Sequence, residues 1–412
     1  RQYAAERLDD PAVYRDTRTR HVRFFLDFLA ERQPELRSGD QPGALDAIGN
    51  EIDNIRFALV WLCESGGIPA EMPTQRFRQG AFALFDFLDT RGWYAEGAAL
   101  LAQLADAVEP SVPEREALIA ELRARQAWFV WHLGRAEESQ NMLEACLSTL
   151  RALDAPAATV FTLNYLGAVL QHQGRLDEAL AVLTEASAIA TAEADRFGAS
   201  VALNNLGQVA LQQGDYDKAL AQCEAALALK RAINDQRGMT YALTTLGRVA
   251  VHDGRHAEAR RLFGESLQIS EGLGDARGMG LALRNLGDVA ADLDEQGTAQ
   301  RMYRTSVETL RETGSRGEIS ISLSRQAAAA CALDQADAAL APLHEALTVA
   351  MEIESEPAMI GALLAAAKLL QQLGQPERSG QILRSLHATA SRTHSQQGRP
   401  QQPAAASDAA SG

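Results

Sequence analysis

Between Val201 and Leu227 the apolar residues fall twice into helical register. Val201, Leu203, Leu206, Val209 and Ala210 recur at helical spacing and predict a first helix. Tyr216, Ala219, Leu220, Cys223, Ala226 and Leu227 repeat the pattern and predict a second. Gly214 between them suits a left-handed helix end, and Asp215 can cap the second helix. The whole unit returns every 40 residues. Leu163, Leu203, Leu243, Leu283, Leu323 and Leu363 hold that step, as do Gly167, Gly207, Gly247 and Gly287. A third column runs Gly134, Gly174, Gly214, Gly254, is filled by Asp294 and Asp334, and resumes at Gly374. A fourth is Ala179, Ala219, Ala259, Ala299 and Ala339. A mid-helix glycine such as Gly207 costs about 1 kcal/mol against alanine, so its recurrence predicts close approach of a neighbouring helix. One helix pair cannot bury its own apolar face, whereas stacked pairs cover one another. The expected fold class is therefore all-α, a solenoid of helix pairs.

The ends read differently. Tyr14, Val22, Phe25, Phe28 and Leu29 predict a helix that starts near Pro11 and stops at Pro34. Leu45, Ile48, Ile52, Ile55, Leu59 and Leu62 predict one further amphipathic helix, ended by Gly66 and Gly67. Residues 1–70 are thus read as a helical adaptor and 71–390 as the repeat array. The stretch "TRGWYAEGAALL" (90–101) is a first, irregular unit. The segment 391–412, rich in Gln, Ala, Ser and Pro, is expected to be disordered.

The unit resembles the tetratricopeptide repeat. Leu206, Gly207, Gly214, Tyr216, Ala219, Ala226 and Leu227 fall at that motif's spacings. That motif usually has 34 residues; the six extra here are expected to lengthen the second helix. HEAT repeats share the period but lack this glycine and alanine pattern. The resemblance implies a right-handed superhelix of about eight pairs whose first helices line a concave wall. The inward polar positions would then be Asn164, Asn204, Asn205, Gln208, Thr244, Thr245, Arg248, Arg284, Asn285, Asp288 and Arg325. Arg248, Arg284 and Arg325 form a cationic strip in an acidic chain. Arginine forks and asparagine amides at these positions suit a peptide's carboxylates or main chain. The alternative is an ordinary solvated helix face. Carboxylate-clamp members of the family use lysines at some of these places, and this chain has none there.

A second resemblance lies at the junction. "RQYAAERL" (1–8) and Glu51, Asp53, Asn54, Ile55 and Arg56 in "EIDNIRFALVWLCESG" are similar to bacterial STAND-type regulators. The inter-repeat "NDQRG" and "GDARG" are similar to that family's arrays. In such regulators a nucleotide-binding domain and a winged helix precede a tetratricopeptide sensor. The resemblance implies a sensor that binds an inducer, peptide or partner protein in its groove and relays this to upstream domains of the same polypeptide. A non-switching scaffold for protein–protein interaction is the other reading.

Composition narrows the alternatives. The net charge of −15 argues against direct nucleic-acid contact. Cys63, Cys146, Cys223 and Cys331 form no C-x-x-C pair, as expected of a reduced, cytoplasmic protein. No apolar run approaches the roughly 20 residues that cross a bilayer, so no membrane partner is expected. The chain begins at Arg1 without methionine, so it is expected to be part of something longer. Its three lysines, Lys218, Lys230 and Lys368, do not follow glycine, so no P-loop is present and any ATPase would lie upstream. His252 and His256 flank a predicted turn and suit no metal. No triad of catalytic residues stands out, so neither enzyme activity nor a cofactor is expected.

Overall fold

The computed structural model describes residues 11–37, 40–64, 72–108, 112, 114–353 and 355–397. These residues form nineteen α-helices and one short 3₁₀ turn, with no strand among them. The adaptor contains α1 (Pro11–Arg32), α2 (Gln41–Asn50) and α3 (Ile52–Glu64). The helix expected over 45–62 is thus two. It breaks at Glu51, whose φ of −105° and ψ of 6° close α2. Gly49 and Asn50, poor helix formers, precede the break.

The pairs run from α4 (Thr74–Arg91) with α5 (Tyr94–Asp106) to α6 (Arg115–His132) with α7 (Ala136–Ala152). Next come α8 (Pro156–His172) with α9 (Leu176–Ala192), and α10 (Arg196–Gln213) with α11 (Tyr216–Ala232). Then α12 (Gln236–His252) pairs with α13 (His256–Leu273), and α14 (Ala276–Asp292) with α15 (Gln296–Arg311). The last are α16 (Arg316–Ala332) with α17 (Ala336–Glu352), and α18 (Glu356–Gln372) with α19 (Pro376–Gln397). The extra residues of the unit are shared rather than added to the second helix: α10 has 18 residues and α11 has 17. Arg1–Leu8 and residues 398–412 lie outside the described residues, and α19 extends to Gln397.

The glycine columns have two distinct causes. Within the first helices, a Cβ on Gly207 would lie 2.3 Å from Cys223 Sγ, and one on Gly247 would lie 2.4 Å from Phe263. Gly167 meets Leu183 and Gly287 meets Tyr303 in the same way. Each mid-helix glycine thus leaves room for the side chain sixteen residues later on the partner helix, which is buried in every case. At the helix ends, Gly214 has φ +79°, and Asp294 and Asp334 adopt φ +61° and +57° in the same column. Aspartate visits the left-handed region more readily than most side chains, which explains its substitution there. The caps are equally regular. Asp195, Asp215, Asp235 and Asp275 each accept from the backbone N–H three residues on.

First helices pack on first helices, α8 on α10, α10 on α12 and α12 on α14, so they form one inner wall. The adaptor does not stand apart. Helix α1 packs on α4, where Gly80 comes close to the carbonyl of Leu26. Helix α2 touches α13, and α4 touches α14. The turn at Gly92 meets Thr313, and that at Gly134 meets Ile353, so the spiral comes round onto itself. No described helix is long and apolar enough to cross a membrane.

Candidate ligand-binding channel

The inner wall encloses a cavity of about 2900 Å³. Small-molecule pockets hold roughly 300–1,000 Å³, so this space is of a size for a chain segment. All eleven polar residues expected on the concave wall line it. They are not equivalent. Asn164, Asn204, Thr245 and Asn285 are buried in the wall, whereas Arg248 and Arg325 extend into the opening. The Thr245 hydroxyl is used by its own helix, donating to the Tyr241 carbonyl at 3.2 Å. Asn164 Nδ2 donates to the Gly198 carbonyl at 3.2 Å, and Asn205 Nδ2 to the Asn164 carbonyl at 3.2 Å. The side-chain oxygens of Asn164 and Asn204 are buried without a hydrogen-bond partner among the described residues. Two such acceptors on successive first helices are the kind of group that a bound molecule satisfies.

The cationic strip is partly neutralised from within. Arg284 pairs with Glu318, and Arg277 reaches the same carboxylate at 3.4 Å. Burial alone would raise the Glu318 carboxyl, but the two guanidinium groups hold it down at about 2. Arg325 Nε lies 3.3 Å from Asp288, which also accepts from the Tyr303 hydroxyl at 2.8 Å.

Several channel residues were not anticipated from the repeat columns. Arg237 pairs with Asp89 of α4, donates to the Asp89 carbonyl at 3.1 Å and lies 3.3 Å from Asp275. Asp89 also accepts from Trp128 Nε1 at 2.8 Å. The Arg237 backbone N–H donates to Gln41 Oε1 at 3.1 Å, and Arg91 reaches the carbonyl of Leu273 at 3.3 Å. Arg125 is buried with its guanidinium 3.2 Å from the Phe82 ring centroid and 4.0 Å from that of Phe161. Burial lowers its pKa to about 10. Trp128, Tyr165, Phe161 and Phe85 continue this aromatic wall. Tyr94 stacks on His132 at 4.3 Å, and burial, then Arg277 and Arg237, keep that imidazole neutral. A signal for part of this existed: Arg237 and Arg277 stand 40 apart, within the "NDQRG" and "GDARG" segments. Nothing in the periodicity linked them to Asp89, which lies outside the regular columns.

The junction motif has a structural role. Arg56 forms a two-pronged pair with Glu96, at 2.6 and 2.7 Å, and also reaches Asp53 at 3.1 Å. It ties α3 of the adaptor to α5. Asn54 donates to Glu51 at 2.7 Å across the α2–α3 break. Among the described residues no cluster of His, Cys, Asp and Glu is arranged to hold a metal ion. His252 stacks on Tyr216, and Cys223 is a core side chain whose thiol is pushed up to about 12 by burial.

Comparisons with known proteins place this geometry. A tetratricopeptide-repeat family model matches residues 157–232 and 239–312. Among curated proteins, none matches the chain in sequence. Among solved structures, a Rap protein complexed with competence and sporulation factor is similar over 92% of this chain and 99% of its own, with a TM-score of 0.63 and 13% identity. NprR in complex with its cognate peptide NprX is similar over 85% of this chain and 98% of its own, with a TM-score of 0.58 and 13% identity. The apo form of the quorum sensor NprR from B. thuringiensis covers the same shares at a TM-score of 0.54 and 14% identity. At such identities the likeness is one of fold. The described residues fold as an α-solenoid of the tetratricopeptide type, with tetratricopeptide repeats matched over 157–232 and 239–312 and a large channel along the inner wall.

Proposed function

We propose that the chain is a sensor that takes an extended peptide, or a segment of a partner protein, into its channel. One observation carries this: a cavity of about 2900 Å³ is lined by polar side chains on consecutive first helices, with buried amide oxygens at Asn164 and Asn204 that have no partner among the described residues. An extended main chain offers the N–H donors those oxygens lack. The two ligand-bound proteins of similar fold, the Rap complex and the NprR–NprX complex, support the reading.

The finer proposal is that binding is relayed to a nucleotide-binding and a winged-helix domain of a STAND-type regulator, joined before the adaptor. The resemblance of Glu51–Arg56 supports this, as does the adaptor's contact with the channel wall through Gln41. A relay needs a ligand that binds the two states of the regulator unequally.

The first test is direct. The chain is incubated with a pool of short randomised peptides, retained peptides are identified by mass spectrometry, and tryptophan emission is followed, since Trp128 and Trp131 line the channel. Retention with an emission change is expected. A chain that retains no peptide overturns the reading. For the relay, the coding sequence before Arg1 should contain a P-loop; its absence would leave the non-switching scaffold as the better description.

A further inference from the structure

Four carboxylates near the channel centre are held by arginines. Asp89 and Asp275 are held by Arg237, Glu318 by Arg277 and Arg284, and Asp288 by Arg325. Arg248 makes no ion pair within 4.0 Å among the described residues. It stands on α12, extends into the opening, and lies between the Asn204 side of the wall and the Arg284 side. Burial in the channel, then repulsion from Arg284, disfavours its charge, while Asp288 and Glu318 offset this only in part because other arginines already hold them. A guanidinium cannot shed its proton at neutral pH, so its environment is relieved by an incoming anion.

We infer that Arg248 is the anchor for a carboxylate of the bound peptide, so that the channel selects acidic or free-C-terminal peptides. This rests on the peptide-binding reading above and adds the ligand's chemical class and the residue that reads it. A guanidinium meets a carboxylate through two parallel hydrogen bonds, which fixes direction as well as charge. Further along the same cavity Met351, Ile360 and Leu364 present exposed apolar surface without charge. That surface supplies an internal control, because it contributes apolar selectivity independently of Arg248.

The test uses two pools of short randomised peptides, one with free and one with amidated C-termini. The intact chain is expected to retain peptides enriched in Asp or Glu if a side chain supplies the carboxylate. It is expected to retain only the free form if the C-terminus does. Arg248→Ala should abolish that selection and weaken the selected peptides about 10–100-fold, while enrichment of apolar residues persists. Arg248→Lys should recover part of it. Because Arg248 has no ion-pair partner among the described residues, Arg248→Ala should unfold at the same denaturant concentration as the parent, which separates lost binding from lost structure. Retention indifferent to acidic residues and to amidation, or unchanged selection in Arg248→Ala, overturns this inference and leaves peptide binding standing. Retention of no peptide by the unaltered chain overturns both.

Discussion

The guanidinium of Arg237 and the carboxylate of Asp89 pair across 148 residues of sequence, joining α12 in the middle of the array to the helix directly after the adaptor. Both side chains are largely withdrawn from water, at 15% and 5% exposure. Removing one partner from such a pair strands the other, and the cost is about 3–5 kcal/mol. Arg237→Ala is therefore expected to lower the unfolding free energy by that order. Urea unfolding followed through Trp128, which donates to Asp89, should report the loss; a shift below about 1 kcal/mol would remove the pair from the forces holding α4 in place.

Acid should weaken the same region. The folded Glu318 carboxyl sits at about 2 against an ordinary 4.5, so the unfolded chain binds its proton first as pH falls. Its contribution, of order 3 kcal/mol, is complete above about pH 4.5 and is lost progressively toward pH 2. Glu318→Gln should cost stability at neutral pH, since Arg277 and Arg284 lose their carboxylate, and should flatten the stability profile between pH 4.5 and 2. An unchanged acid limb in denaturant titrations would rule out this assignment. By the same logic Arg284→Ala should destabilise the fold while Arg248→Ala should not, although the sequence reading groups the two arginines in one cationic strip.

Two helical glycines should respond oppositely to alanine. A Cβ on Gly247 meets Phe263 at 2.4 Å, so the helix propensity gained is outweighed by overpacking, and Gly247→Ala should cost about 1–3 kcal/mol. A Cβ on Gly264 of α13 meets nothing within 4 Å, so Gly264→Ala should stabilise by about 0.5–1 kcal/mol. Thermal midpoints of the two variants that moved in the same direction would contradict the close-approach explanation of the glycine column.

Ala194 holds φ +53° at the junction of α9 and α10, where the equivalent residues Asn234, Gly274 and Gly314 suit that conformation better. Ala194→Gly should relieve strain of about 1 kcal/mol, less the extra entropy glycine gives the unfolded chain. A small rise in the denaturation midpoint is expected; a fall of more than a few tenths of a kcal/mol would mean the site is unstrained.

Read from the residues alone, the repeat period was legible because each pair must place apolar side chains toward both neighbours. That need writes itself into the sequence at fixed spacing. The polar wall was legible for the same reason: Asn164, Asn204, Thr244 and Arg284 occupy one register position in successive first helices. The break at Glu51 was not, because Ile48 and Ile52 keep the apolar spacing while the backbone between them turns. Nor were Arg125, Asp89 and Glu318 visible as channel residues, since each follows the local demands of a non-repeating contact.

Sequence by itself determined the helices, their caps and turns, and which face of each pair is inward, because these rest on contacts within forty residues of one another. Tertiary structure decided how far the spiral curves, that the adaptor's Gln41 and the neighbouring Asp89 reach the wall, and that Arg284 and Arg325 meet carboxylates while Arg248 meets none among the described residues. Those outcomes depend on small angles accumulated over many pairs and on charges brought together from distant helices. A local pattern constrains neither.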